Sequence, residues 1–392
     1  MAEWKWVSVC AVLLVVLRLV TPLAALRSIE KGSDVYAFLA GMMLIAEMSR
    51  GGGVFEWLAA CAVRVARGSR LRLFMCVYGI GTFVTIVLSN DATAVVLTPA
   101  VAAAARRARV EPLPHLFACA LVANAASFVL PISNPANLVV FGGHVPPLGR
   151  WLAIFLGPSL AAIAATYAVL WMVWRAELRG TFRENQTGPS LSIGGRVAAC
   201  GIVFSAVALV LASARGWSLG TTTLFAAIAV ACGMSVANRT VVVRSLRGLT
   251  WSVVPLIAGL FVLADAATAR GLLHRVIMAL AGSEHAGPVA SLFITAGGVA
   301  LATNVANNLP TALIVAAATR PGHEALQAAV AIGIDLGPNL AVSGSLATLL
   351  WLVALRREGF ELSAWRFLRV GAFAMPLALV CAVSALFATT AR

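Results

Sequence analysis

A chain of 392 residues in which 61% are hydrophobic and only 11% charged cannot fold as a water-soluble globule, whose charged share is about 25%. With a mean hydropathy of +0.94 it reads as a polytopic membrane protein. The net charge of +14 does not imply a nucleic-acid partner, because the arginines fall in short connections between apolar runs, where the cytoplasmic leaflet of a lipid bilayer is their neighbour.

Only Lys5 precedes the first apolar run and no small-residue cleavage site follows it, so the N-terminus reads as a retained span rather than a signal peptide. A helix crosses about 30 Å of hydrocarbon in about 20 residues, and the runs 5–26, 33–49, 151–174, 197–213, 218–236, 251–268 and 364–389 fit as ordinary spans. Arg18 stands alone within the first of them and is placed to snorkel outward. Residues 53–67, GVFEWLAACAVRVAR, are too short to cross and carry Glu56, Arg64 and Arg67, which suits an amphipathic helix lying in the interface. Residues 270–281, RGLLHRVIMALA, hold the matching place in the second half, and two such arms would couple a mobile part to a fixed one.

Four regions are not ordinary spans. Segments 71–105 and 287–319 are too long for one crossing and are interrupted by SND at 89–91 and TNVANN at 303–308, so each reads as a helical hairpin. Segments 114–143 and 323–355 are broken at LPISNPANL (130–138) and DLGPNLAVSGS (335–345). The four form two pairs. Ala-Gly at 40–41 leads to Glu47 as Ala-Gly at 258–259 leads to Asp265; NDATAVVL (90–97) lies over NNLPTALI (307–314), and LPISNPANLVV (130–140) over NLAVSGSLATLL (339–350). Paired, interrupted hydrophobic segments in two halves point to a transporter's binding site near the midplane. The halves divide as 1–174 and 197–392 around a cytoplasmic linker, 175–196, and the first half has one span fewer ahead of its hairpin.

Charge placement gives the orientation. Arg64, Arg67, Arg70, Arg72, Arg106, Arg107 and Arg109 flank the first hairpin, whereas Arg320 is alone at the flanks of the second. The hairpins therefore enter from opposite faces, the first from the cytoplasm, with the N-terminus cytoplasmic as well.

Unwound backbone at membrane depth must face protein or a water-filled cavity, so Ser89, Asn90 and Asp91 belong at a hairpin tip facing a cavity. Asp91 suits either the cap of the restarting helix or a coupling-ion site. Asn307, Asn308 and Pro310 repeat the construction with amides, while the second half carries its acid in the broken helix, at Asp335. Between Arg320 and Arg356 there is no basic residue to pair with Asp335, and since burial disfavours a charged carboxyl, Asp335 reads as a proton site. Asn134, Asn137, Asn339, Ser343, Ser345 and Thr348, with Ser133, supply neutral donors and acceptors and no fixed positive charge. Such a set suits a small polar solute. Glu47 and Asp265, at span ends, fit gating or ion-carrying roles and equally caps or interfacial anchors. The seven cysteines are scattered singly and offer no chelating set, although Cys76 and Cys119 are placed to approach one another. His144, His274, His285 and His323 lie at span ends and loops with no pairing that suggests a metal.

VFEW at 54–57, SNDATAVVLTP at 89–99, NNLPT at 307–311 and, most specifically, GSLATLLW within DLGPNLAVSGSLATLLWL at 335–352 resemble the arsenical pump membrane protein, the ArsB-type arsenite and antimonite efflux permease of the ion transporter superfamily. The likeness runs in order from about residue 40 to residue 370. It implies an all-α, inverted-repeat fold of the inner membrane with two re-entrant hairpins and two broken helices. It also implies export of arsenite or antimonite in exchange for protons with no cofactor, and in some members a cytoplasmic ATPase partner. Sodium/proton antiporters, silicate exporters and carboxylate carriers of the superfamily have related tips and remain the alternative.

Overall fold

The structure, a computed structural model, describes residues 3–142, 145–182, 190–249, 251–271, 287–318 and 323–390. Among these, the β-structure is a single isolated bridge between Ser69 and Thr181; the rest is helix and connection. Six stretches of the described residues are long and apolar enough to cross a bilayer: Arg70–Val87, Leu148–Val173, Ile193–Arg215, Leu219–Ala269, Pro288–Ala306 and Ala364–Thr390. The interfacial arm expected at 270–281 lies outside the described residues beyond Gly271.

The expected first span at 5–26 is two helices. Glu3–Val16 ends before Arg18, which is exposed and has φ of 53°, and Pro22–Lys31 starts afresh. Thr21 accepts a hydrogen bond from the Ala24 N–H, and Pro22 occupies the first turn, where its missing N–H costs little. This Thr-Pro start outweighs the apolar run around it. The second half repeats the arrangement, since Leu219–Gly248 is kinked at Asn238 and is followed by Val253–Ala269, as Ser33–Gly51 follows Pro22–Lys31. Each half's third helix packs on the other half's leading helices: Ser33–Gly51 against Leu219–Gly248, and Val253–Ala269 against Glu3–Val16 and Pro22–Lys31. The Ala-Gly pairs mark these crossings. A methyl on Gly41 would stand 2.8 Å from the Thr223 carbonyl oxygen, and one on Gly259 would stand 2.8 Å from Val7 Cγ1, so glycine lets the backbones approach. Among the described residues, Ile193–Arg215 is the one long helix of the second half ahead of its hairpin that is not matched by a helix ahead of the first.

Val54–Ala66 is the helix expected at 53–67. It buries Val54, Phe55, Ala59, Ala62, Val63 and Ala66 against the first hairpin and leaves Glu56 and Arg64 outward. Both hairpins and both broken helices form. In the first hairpin Arg70–Val87 turns at Leu88 and Ser89 into a helix that passes through a π-helical stretch, Ala92–Leu97, and ends at Arg107. Thr85 and Thr93, 2.8 Å apart at their hydroxyls, join its two arms. In the second hairpin Pro288–Ala306 turns at Asn307 into Asn308–Ala318. The long helices Leu148–Val173 and Ala364–Thr390, each with an internal proline at Pro158 and Pro376, pack together behind the broken helices.

Candidate functional site

The broken helices repeat one another in conformation. Leu113–Ala125 and Glu324–Leu336 are each 13 residues long. Beyond each lies an irregular stretch, a 3-10 turn (Pro131–Ser133, Val342–Gly344) and one extended residue, Asn134 (φ −146°, ψ 128°) or Ser345 (φ −147°, ψ 155°). That residue caps the helix that follows. Asn134 Oδ1 accepts the Ala136 N–H at 3.0 Å, and Ser345 Oγ accepts the Thr348 N–H at 3.1 Å. The caps satisfy donors that the break frees at membrane depth.

The freed groups of the second break are met by Asn304, on the second hairpin. Its amide donates to the Gly337 carbonyl at 3.0 Å and its oxygen accepts the Ala341 N–H at 3.1 Å. A serine of each break also holds the adjacent hairpin: Ser133 donates to the Ile86 carbonyl at 3.1 Å and Ser343 to that of Asn304 at 2.9 Å. Between the two broken helices, Asn124 donates to Asn339 Oδ1 at 2.9 Å while Asn339 donates to the Leu121 carbonyl at 3.1 Å.

At the tips the weak repeat is shifted by one residue from the sequence alignment. Asn90 accepts the N–H of the next residue at 2.9 Å, and Asn308 does the same at 3.0 Å. Asn90 therefore matches Asn308, Ser89 matches Asn307, and Asp91 stands opposite Leu309. The cap of the first tip is Ser89, whose Oγ accepts the Ala92 N–H at 3.2 Å; Asp91 makes no capping hydrogen bond. Asn307 holds φ of 71° and ψ of 159°, a conformation costly for a residue with a Cβ.

Both tips and both capped helices converge on one cavity of about 110 Å³. Of the residues expected at the site, Ser89, Asn90, Asp91, Asn134 and Asn308 line it, alongside Pro135, Leu346 and Ala347; Ser33–Gly51 closes it with Phe38, Leu39, Met42 and Met43 and puts Glu47 on the wall. The remaining expected residues stand away from the wall. Asn137 is buried and donates to the Ser127 carbonyl, Asn339 pairs with Asn124, Ser345 and Thr348 share a hydrogen bond at the helix start, Ser343 is exposed, and Asn307 forms the turn.

Asp335 lies behind the wall. It is 1% exposed; Oδ1 accepts a hydrogen bond from Asn134 Nδ2, and Oδ2 has no partner. Ser127, Asn134 and Asn137 surround the carboxyl. No cation pairs with it among the described residues. Glu47 and Asp265 part company: Glu47 pairs with Arg50 beside the cavity, while Asp265 is held by Ser28 at 2.7 Å and Lys31 at 2.6 Å in the outer helices. None of the seven cysteines lines the cavity. Asn124 and Asn304 were missed by the sequence reading. Asn124 had a signal, because it is the next-to-last residue of its helix, as Asp335 is of the matching one.

The description of the citrate transporter family matches residues 4–335. The chain belongs to the citrate transporter family. It is similar to the arsenical pump membrane protein of Yersinia enterocolitica, with 28% identity over 81% of this chain and 78% of that protein. The Escherichia coli K12 protein of the same name is 27% identical over 86% and 81%, and an uncharacterized transporter of Mycobacterium tuberculosis is 24% identical over 89% and 84%. Among solved structures, the YdaH transporter of Alcanivorax borkumensis, reported to have an unusual topology, superposes with a TM-score of 0.62 at 16% identity over 94% of this chain and 87% of that one. The family and the fold make this chain a multi-pass secondary transporter and not an enzyme.

Proposed function

We propose that this member of the citrate transporter family exports arsenite or antimonite from the cytoplasm in exchange for protons, across the inner membrane and with its N-terminus in the cytoplasm. The observation that carries the reading is the cavity: among the described residues its polar wall is amides, a hydroxyl and two acids, with no lysine, arginine or histidine. Arsenite near neutral pH is mostly an uncharged trihydroxide. Hydroxyls that donate and accept meet their match in Asn90, Asn134, Asn308 and Ser89. The absence of thiols from the wall suits release, because several sulfur bonds to one metalloid would hold it too long.

A carboxylate carrier is the second reading, supported by the description of the family. Against it, a tricarboxylate would bring several negative charges to a wall that carries Asp91 and, among the described residues, no cation, Arg50 beside the cavity being already paired with Glu47.

Coupling falls to the two acids at the breaks. A proton is the simplest charge partner for a buried carboxylate with no cation beside it, and Asp335 has that environment. Asp91, on the wall and free of capping duty, faces the solute directly. Re-entrant hairpins opening to opposite faces would let one site load from the cytoplasm and exchange outside. Expression in a host stripped of its own arsenite exporter tests the reading: cellular arsenic should fall and resistance rise. Unchanged accumulation, with the protein demonstrated in the membrane, rules it out.

A further inference from the structure

We propose that Asn134 links the protonation state of Asp335 to the wall of the solute cavity, one amide serving the cap with its oxygen and the acid with its nitrogen. The inference rests on the proton-coupled reading above and adds the residue that transmits the proton's presence. Asp335 does not line the cavity, so a proton there needs a group that touches both. Asn134 lines the cavity, is 1% exposed, accepts the Ala136 N–H through Oδ1 and donates to Asp335 Oδ1 through Nδ2.

The amide's two ends are both committed, and this makes the link directional. With Asp335 ionised, its Oδ1 accepts from Asn134 Nδ2 while the amide oxygen holds the helix start, so both ends of the amide are matched and only Asp335 Oδ2 is left without a partner. A protonated Asp335 is a poorer acceptor on either oxygen. If the proton sits on the oxygen facing Asn134, two donors meet. Turning the amide to offer Oδ1 would then set Nδ2 against the Ala136 N–H and undo the cap. Protonation therefore loosens the helix start at Asn134 and Pro135, which is a section of the cavity wall.

The second repeat supplies the control. Ser345 has the same backbone conformation and caps the same helix start, and its hydroxyl is shared with Thr348 at 2.9 Å instead of an acid. A hydroxyl is thus a sufficient cap in this fold. The additional reach of an amide is found only where the buried acid stands opposite.

The test is Asn134→Ser, which keeps a cap of the Ser345 kind and is too short to hold Asp335. In proteoliposomes the readout is the ratio of protons to arsenite moved, followed with an internal pH dye, because Asn134 also lines the cavity and its replacement affects the arsenite flux itself; that ratio should fall about tenfold. A merely structural role would lower both fluxes together and leave their ratio unchanged. A proton-to-arsenite ratio unchanged in a monodisperse, folded Asn134→Ser overturns the link. The underlying reading fails differently: a parent inert to arsenite, or moving it without protons, refutes the transport assignment. In that event the carboxyl infrared band of Asp335, identified by its absence in Asp335→Asn, still decides the link. Its titration midpoint should be displaced by about one pH unit or more in Asn134→Ser, and an unmoved midpoint overturns the proposal.

Discussion

Replacing Asn304 by alanine should destabilise the protein by removing the clamp on the second broken helix. The side chain donates to the Gly337 carbonyl and accepts the Ala341 N–H, and alanine offers neither group in return. Each backbone group left without a partner costs about 1–3 kcal/mol when buried. The Gly337 carbonyl keeps the Leu340 N–H at 3.0 Å, so the Ala341 N–H is the group left orphaned; Asn304 is only part-buried, so the lower half of the range applies, and the loss amounts to about 1–2 kcal/mol against a typical folding free energy of about 5–15 kcal/mol. Asn304→Leu, which refills the volume, should lose nearly as much, because the loss is polar and not a cavity. Denaturant titration of the purified protein in detergent reads the difference. Both variants within about 0.5 kcal/mol of the parent, below the effect of a single lost hydrogen bond, would show that the break is held by something else.

Other substitutions probe the coupling and the packing. Asp335→Asn preserves the shape of the side chain and the hydrogen bond from Asn134 but cannot titrate, so arsenite counterflow should persist while proton-driven efflux collapses across the pH range; an unchanged pH dependence moves the proton site to Asp91, Glu47 or Asp265. Asp91→Asn leaves the Ser89 cap in place and should retain part of the coupled efflux with altered arsenite affinity, and complete loss of proton exchange would make Asp91 the primary site. A cysteine-free variant should keep most of its transport, since no thiol lines the cavity; a folded but inactive one means that sulfur touches the solute. Gly371→Ala would push a methyl into the carbonyl oxygens of Asn339 and Leu340, and overpacking of that kind costs about 1–3 kcal/mol, to be seen as a lower denaturation midpoint in detergent.

The breaks were legible because a polar residue at membrane depth must be capped, paired or set against water, and Asn134, Ser89 and Asp335 stand out in runs that are otherwise apolar. Their register was less so. Matching NDATAVVL to NNLPTALI by polarity set Asp91 against Asn308, whereas the hydrogen bond that each asparagine Oδ1 accepts from the next N–H sets Asn90 there; composition does not fix a one-residue shift in a weak repeat. Arg18 and Pro22 were hidden by the hydrophobicity around them, although Thr21-Pro22 carries the chemistry of a helix start. Asn124 lies inside an apolar helix with no interruption to mark it, and its one signal is the next-to-last place that it shares with Asp335 in the matching helix. The far wall of the cavity, Phe38, Leu39 and Met42, has the composition of any membrane helix, so only the fold could bring it to the site.

The central claim is that this cavity exchanges a neutral metalloid hydroxide for protons. Purified protein in proteoliposomes carrying an internal pH dye, challenged separately with arsenite, antimonite, sodium, succinate and citrate, tests it most directly. The account predicts proton movement with arsenite and antimonite, its loss in Asp335→Asn, and none with the others. Proton movement driven by citrate, succinate or sodium, with the metalloids silent, would contradict it.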